Sequence, residues 1–215
     1  MEKFKPVTSK VIPLPMNDVD TDQIIPAQFL TSVSKEGYGE NLFRRMKDKD
    51  ESFPMNKPEY KNAKVLVAGY NFGCGSSREH AVWAITGAGI KVVVAESFAD
   101  IFYNNSAKNG LLLVQLSRPQ VEELLKDAKA DPNYKVRVDL ENQVVVASNG
   151  KKCRFEYDAF RKHCLLNGLD DIDYILSYSD ELDQYREASN KPWMKSLKDN
   201  TAEPVAEPAQ VAVPA

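Results

Sequence analysis

The sequence predicts an α/β fold: a central, partly parallel sheet with flanking helices, followed by an antiparallel strand meander. Three observations carry this. Between residues 64 and 116, three short apolar runs (KVLVAG, KVVVAES and LLLVQL) alternate with segments of helical spacing. A strand, helix, strand order calls for parallel pairing through helical crossovers. Residues 134–157, YKVRVDLENQVVVASNGKKCRFEY, instead alternate apolar and polar positions around a Ser-Asn-Gly turn signal. That is the pattern of antiparallel strands with one solvated face. Finally, 215 residues at 43% hydrophobic and 27% charged suit one globular domain with a sizeable core.

The elements follow in order. Residues 10–14 read as a short strand closed by Pro13 and Pro15, leading into the polar loop MNDVDTDQIIPAQFLTS. A helical pattern runs from Asn41 to Met46, and KDKDESFPMNKPEYKNA reads as an exposed connection. KVLVAG (64–69) is a buried strand ending in glycine, and SSREHAVWAITGAG a helix that stops at its glycines. KVVVAES (91–97) is the next strand, ADIFYNNSAKNG a helix ended by Gly110, and LLLVQL (111–116) the third strand. RPQVEELLKDAKA is a helix with Pro119 near its first turn. After the meander, helices are expected at 158–166 and 171–188, separated by Gly168. The last stretch, NTAEPVAEPAQVAVPA, is a low-complexity tail whose recurring prolines block a helix.

Charge and composition exclude several function classes. A formal net charge of −3, with lysines scattered among acids, gives no electrostatic reason to expect nucleic acid. No apolar run reaches the length that crosses a bilayer, and MEKFKPVTSKVIPLP lacks a secretory-type apolar segment, so no membrane role and a cytoplasmic location are expected. Cys74, Cys153 and Cys164 are read as reduced thiols. With His80 and His163 added, they form no recognisable ligand set, so no metal is expected on this chain.

The densest chemistry lies in Asn71–Ala81, NFGCGSSREHA. Ser76 and Glu79 have the S-x-x-E spacing of a capping box, which predicts Ser76 as the N-cap and Arg78 in the first helical turn. A strand, a glycine turn and a capped helix need no further function. The same arrangement nevertheless presents free N–H groups beside a guanidinium able to grip a carboxylate with two parallel bonds. Gly73 and Gly75 can take positive φ or let a ligand approach the backbone. A P-loop needs Lys followed by Ser or Thr, a dinucleotide fingerprint needs a third glycine where Arg78 stands, and a nucleophile elbow needs G-x-S-x-G. Cys74 stays open as a nucleophile activated by the helix start, although the sequence contexts of known cysteine proteases are missing.

Gly75-Ser-Ser-Arg-Glu-His-Ala81, preceded by Asn71-Phe-Gly-Cys74, resembles the active-site loop of the swivelling domain of the aconitase superfamily. With cysteine at 74 it is similar to the small-subunit family of 3-isopropylmalate dehydratases. DTDQIIPAQFL (20–30), ESFADIFYNNSAKNGLL (96–112) and GLDDIDYIL (168–176) resemble further segments of that family in the same order. The resemblance implies a swivelling β/β/α domain over residues 1–190, with 191–215 as a tail outside it. It also implies a hydro-lyase of leucine biosynthesis, active as a heterodimer with a large subunit that carries a 4Fe-4S cluster; no cofactor is expected on this chain. The expected substrate is isopropylmalate.

The resemblance implies roles residue by residue. Ser76 is the base that takes a proton from carbon, while Ser77 and Arg78 hold a substrate carboxylate. Gln28, Phe29, Leu30 and Thr31 approach the substrate's variable group; they offer no cation and two apolar side chains, which suits an isopropyl group better than a third carboxylate. Gly73, Cys74, Gly75, His80, Asp20, Thr21 and Asp22 support the loop. Asp18, Asp20 and Asp22 alternate as in a calcium loop, but Gln23 and Phe29 stand where glycine and glutamate are required. They are read as fixing the turn through side-chain to backbone bonds. Relatives acting on citramalate, dimethylmalate or homoaconitate, and a non-catalytic anion-binding module, are the competing readings.

Overall fold

The computed structural model of the chain describes residues 1–30, 35–76 and 78–189. Thr31, Ser77 and the tail 191–215 therefore lie outside the described residues. The chain divides into two units, the first Met1–Ile172 and the second beginning at Asp173.

In the first unit, β1 (Val7–Leu14) leads to a short helix, α1 (Thr21–Ile24), and then to α2 (Arg44–Lys49). Next come β2 (Val65–Ala68), α3 (Glu79–Gly87), β3 (Val92–Ala95), α4 (Asp100–Lys108), β4 (Leu112–Gln115) and α5 (Arg118–Ala130). The meander is β5 (Lys135–Asp139), β6 (Val144–Ala147) and β7 (Lys152–Arg154), followed by α6 (Ala159–Asn167). The strands form one seven-stranded sheet of order β4-β3-β2-β1-β5-β6-β7.

β1 joins the two halves of that sheet. Its second half, Val11–Leu14, pairs in parallel with Val65–Ala68, whereas its first half, Val7–Lys10, pairs antiparallel with Lys135–Val138. Pro13 thus sits where β5 does not pair, a place at which a missing N–H is tolerated. The strand begins three residues earlier than expected because Val7–Lys10 is held by β5, a partner far away in sequence.

β2 and β3 are apolar throughout, and β4 is apolar up to its exposed last residue, Gln115, because both faces are covered. Leu66, Val93 and Leu113 turn to the core shared with α3 and α4, while Val65, Val67, Val92, Val94, Leu112 and Val114 turn to the opposite core under α5. Four local expectations need correction. A 3-10 turn at Tyr38–Asn41 precedes α2, which starts only at Arg44, with Phe43 at a positive φ of 51° and fully buried. The connection at 48–62 is not all exposed: Phe53 packs on Phe43 with ring centroids 5.8 Å apart, and buried Tyr60 donates to Ala128 O at 3.3 Å. The loop after β1 contains α1, closed by a capping box between Asp20 and Gln23. Finally, the helix expected over 171–188 is two, α7 (Asp171–Leu176) and α8 (Ser179–Ser189). Ser177 Oγ donates to Tyr174 O at 2.6 Å at the break, so a hydroxyl competes for helical acceptors there.

No helix among the described residues is long and apolar enough to cross a membrane.

Candidate active site

The carboxyl ends of β1, β2 and β3 face the same way, and the loops leaving them lie side by side. In parallel sheets such loops are where sites are built. The segment after β2 is stitched to both neighbours through its backbone. On one side, Asp18 N–H donates to Tyr70 O (3.0 Å), Gly73 N–H to Val19 O (2.7 Å) and Thr21 N–H to Cys74 O (3.0 Å). On the other, Phe72 N–H donates to Ser97 O (3.0 Å) and Ala99 N–H to Phe72 O (3.1 Å). Side chains add to this: Asn71 Nδ2 donates to Asp18 Oδ1 at 2.6 Å, and Thr21 Oγ1 to Ser76 O at 2.8 Å. The Asn71 and Tyr70 hydrogen bonds hold the Asp18 carboxyl below the usual carboxylate range.

Both loop glycines are needed. Gly73 has φ +80°, and a Cβ there would lie 2.2 Å from Phe102 Cγ; Gly75 has φ +86°. The chain then crosses Ser76 and reaches α3, which begins at Glu79 with Arg78 as its N-cap and no side-chain cap. The Ser76–Glu79 capping box expected from sequence does not form. Thr21 holds Cys74 O and Ser76 O, and the helix begins only at Glu79. Arg78 is therefore the residue before the helix instead of a first-turn residue, and its Nη1 donates to Asp22 Oδ1.

A pocket of about 220 Å³ opens here, lined by Thr21, Gly73, Gly75, Ser76, Arg78 and the start of α4 from Ala99 to Phe102. Ser76 is exposed, Arg78 half-buried. The structure thus brings together five residues singled out from the sequence. Asp20 and Asp22 act from beneath, the former by accepting from Gln23 N–H at 2.7 Å. Cys74 bridges to Asp20 without lining the pocket; burial, then the nearby Asp20 and Asp18 charges, push its thiol pKa up. This is the opposite of what a nucleophile requires. His80 packs between aromatic rings, 4.7 Å from Trp83 and 5.4 Å from Tyr38.

Gln28, Phe29 and Leu30 are not brought to this pocket. Gln28 is exposed, and Phe29 and Leu30 lean on the core through a 3-10 turn over Ala27–Phe29. Sequence reasoning missed Asp100 and Ile101, which do line it; Ile101 is 53% exposed. The signal was an isoleucine in the first turn of the helix after a buried strand. Among the described residues no three His, Cys, Asp or Glu side chains converge on a metal position, and Cys153 and Cys164 are buried free thiols in the meander and α6. Cys74, Cys153 and Cys164 lie in separate elements of the described structure and do not form a cysteine ligand set.

Residues 1–119 match the family model of the aconitase C-terminal domain, and residues 122–159 match the model described as LeuD_N. The chain is 53% identical over 188 residues to a 3-isopropylmalate dehydratase small subunit of Francisella tularensis subsp. novicida, covering 87% of this chain and 98% of the relative. It is 51% identical over 201 residues to a protein of the same name from Paramagnetospirillum magneticum, covering 90% and 100%. A crystal structure of 3-isopropylmalate dehydratase (leuD) from Methanocaldococcus jannaschii superposes with a TM-score of 0.62 at 30% identity, covering 85% of this chain and 99% of that one. With relatives this similar over nearly their whole length, and with an aconitase-type sheet and loop arrangement, the chain belongs to the 3-isopropylmalate dehydratase small-subunit family.

Proposed function

We propose that this chain is the small subunit of a 3-isopropylmalate dehydratase, a hydro-lyase that interconverts 2-isopropylmalate and 3-isopropylmalate in leucine biosynthesis, and that it acts only with a large subunit. The observation that carries the reading is the pocket itself: an exposed serine, a guanidinium and a glycine turn face one cavity of about 220 Å³ at the carboxyl ends of three parallel strands. In this reading Ser76 Oγ removes the proton from substrate carbon, and returns one when the double bond is rehydrated. A serine hydroxyl is a weak base in water, so its anionic form needs support from the Arg78 cation and nearby N–H groups. Arg78, with Ser77, binds a carboxylate. Residues 1–190 form the working domain, and the cluster that activates the departing hydroxyl belongs to the large subunit.

Arg78 is the single cation lining the pocket among the described residues, Asp100 lines the same pocket, and Ala99, Ile101 and Phe102 complete the wall. A third carboxylate would lack a partner here and would be costly to desolvate. This favours isopropylmalate over homoaconitate-type tricarboxylates; Phe29 and Leu30 can contribute only if they leave the core. The test is co-expression with a cognate large subunit and anaerobic assay. Turnover of isopropylmalate is expected, and a preference of about tenfold or more for a tricarboxylate would sink the assignment.

A further inference from the structure

Asn109, the C-cap of α4, spends its whole side-chain amide on four partners. Its Oδ1 accepts from Lys35 Nζ and from Trp83 Nε1, each at 3.0 Å. Its Nδ2 donates to Glu79 Oε1 at 2.8 Å and to Asn105 O at 2.9 Å. An amide offers two acceptor sites and two N–H donors, so nothing is left over. The partners come from three separate places: the end of the segment that follows Gln28–Leu30, the first turns of α3, and α4 itself. Lys35 also lies over the Trp83 ring, 5.4 Å from its centroid, and His80 packs against the same indole with ring centroids 4.7 Å apart.

This matters because α3 has no side-chain N-cap. A helix start without a local cap is free to fray or slide by a residue. Glu79 is the first residue of α3 and follows Arg78 directly, so a bond from Glu79 to a rigid neighbouring helix end does from outside what a capping box would do from within. Asn109 itself lines no part of the pocket that holds Ser76 and Arg78.

We propose that Asn109 is a positioning residue: through Glu79 it sets where α3 begins, and so where Ser76 and Arg78 meet the substrate. The proposal rests on the catalytic reading of that pocket, and its test is divided so that the two can fail separately. The first arm uses the chain alone. In Asn109→Ala and in Glu79→Ala, amide hydrogen exchange at Ala81, whose N–H bonds Arg78 O at 3.2 Å, is expected to speed up about fivefold or more. Exchange in β2 and β3 is expected to stay as in the parent chain. The second arm uses the complex with the large subunit. Both variants should lose about ten- to a hundredfold in kcat on isopropylmalate while still assembling. The double variant should be no worse than Asn109→Ala alone, because the Glu79 bond is one that Asn109→Ala already removes. Glu79→Gln, which keeps an acceptor oxygen, should recover most of the loss.

Unchanged exchange at Ala81 overturns the proposal, as does an unchanged kcat in an active complex. If Asn109→Ala fails to fold, the exposed Glu79→Ala decides alone. If exchange rises but the parent complex has no activity on isopropylmalate, the catalytic reading of the pocket fails and the helix-anchoring role of Asn109 stands.

Discussion

Arg78 Nη1 donates to Asp22 Oδ1, so the pocket's cation is tied to the loop after β1, 56 residues away in sequence. The contact engages one nitrogen of a guanidinium that has five N–H donors, which allows a carboxylate ligand to use another edge of the fork. Asp22 then orients the guanidinium. Asp22→Asn keeps an acceptor oxygen but removes the charge, and KM for isopropylmalate is expected to rise about five- to tenfold with a smaller change in kcat. Asp22 is half-exposed, so stability should fall by about 1 kcal/mol or less. Steady-state kinetics and a thermal melt of one variant check both; an unmoved KM would show that Asp22 does not orient Arg78.

Ser76 is exposed, and its backbone carbonyl, not its hydroxyl, is the group that Thr21 holds. Ser76→Ala should therefore leave the fold and the assembly with the large subunit intact. Turnover should drop by about a hundredfold to ten-thousandfold, the range for losing a positioned base. Size-exclusion chromatography together with a rate measurement separates this from the non-catalytic anion-binding reading, in which Ser76→Ala would leave function as it was.

Gly73 and Gly89 both have positive φ, +80° and +86°, but a Cβ at Gly73 meets the Phe102 ring whereas one at Gly89 meets nothing within 4 Å. Gly89→Ala should cost about 1 kcal/mol, from backbone strain alone. Gly73→Ala adds overpacking to strain and should cost about 3 kcal/mol or more. Denaturant unfolding of the two variants side by side measures the difference, and equal losses would mean that Phe102 gives way freely.

Burial and the neighbouring Asp20 and Asp18 charges raise the Cys74 pKa, so its reactive thiolate is scarcer near neutral pH than that of a free cysteine. Alkylation by iodoacetamide at about pH 8 should be slower than for a free thiol, and should approach its full rate only at pH values above the ordinary thiol range. Mass spectrometry of the labelled peptide follows this directly. Faster labelling than free cysteine would restore Cys74 as a nucleophile.

Much of the fold was legible because its signals are local and physically forced. A strand buried on both faces must be apolar throughout, as Val92–Ala95 is, and a meander with one solvated face must alternate, as Lys135–Asp139 does. The beginning of α3 was not legible. Ser76 and Glu79 carry the right spacing for a capping box, but the loop around Ser76 is tied to Thr21, and no local pattern reports a partner 55 residues away. The same limit hid Phe53 and Tyr60 inside a segment rich in charge and proline, and the packing of Phe29 and Leu30 against the core, since apolar character serves a core as readily as a ligand.

The sequence by itself determined the α/β class and the succession of strands and helices along the chain, and pointed to the glycine turn at Asn71–Ala81, because residue type and periodicity settle what must be buried and which turns need glycine. Only the tertiary structure decided which side chains share a cavity. It bonded Thr21 to Ser76 and Arg78 to Asp22, brought Ile101 and Asp100 to the same pocket, and bonded Asn109 to Glu79 at the start of α3. Each of these is a contact between segments that adjoin only after three parallel strands have been laid side by side, so it is the register of the sheet, not the local sequence, that sets their distances.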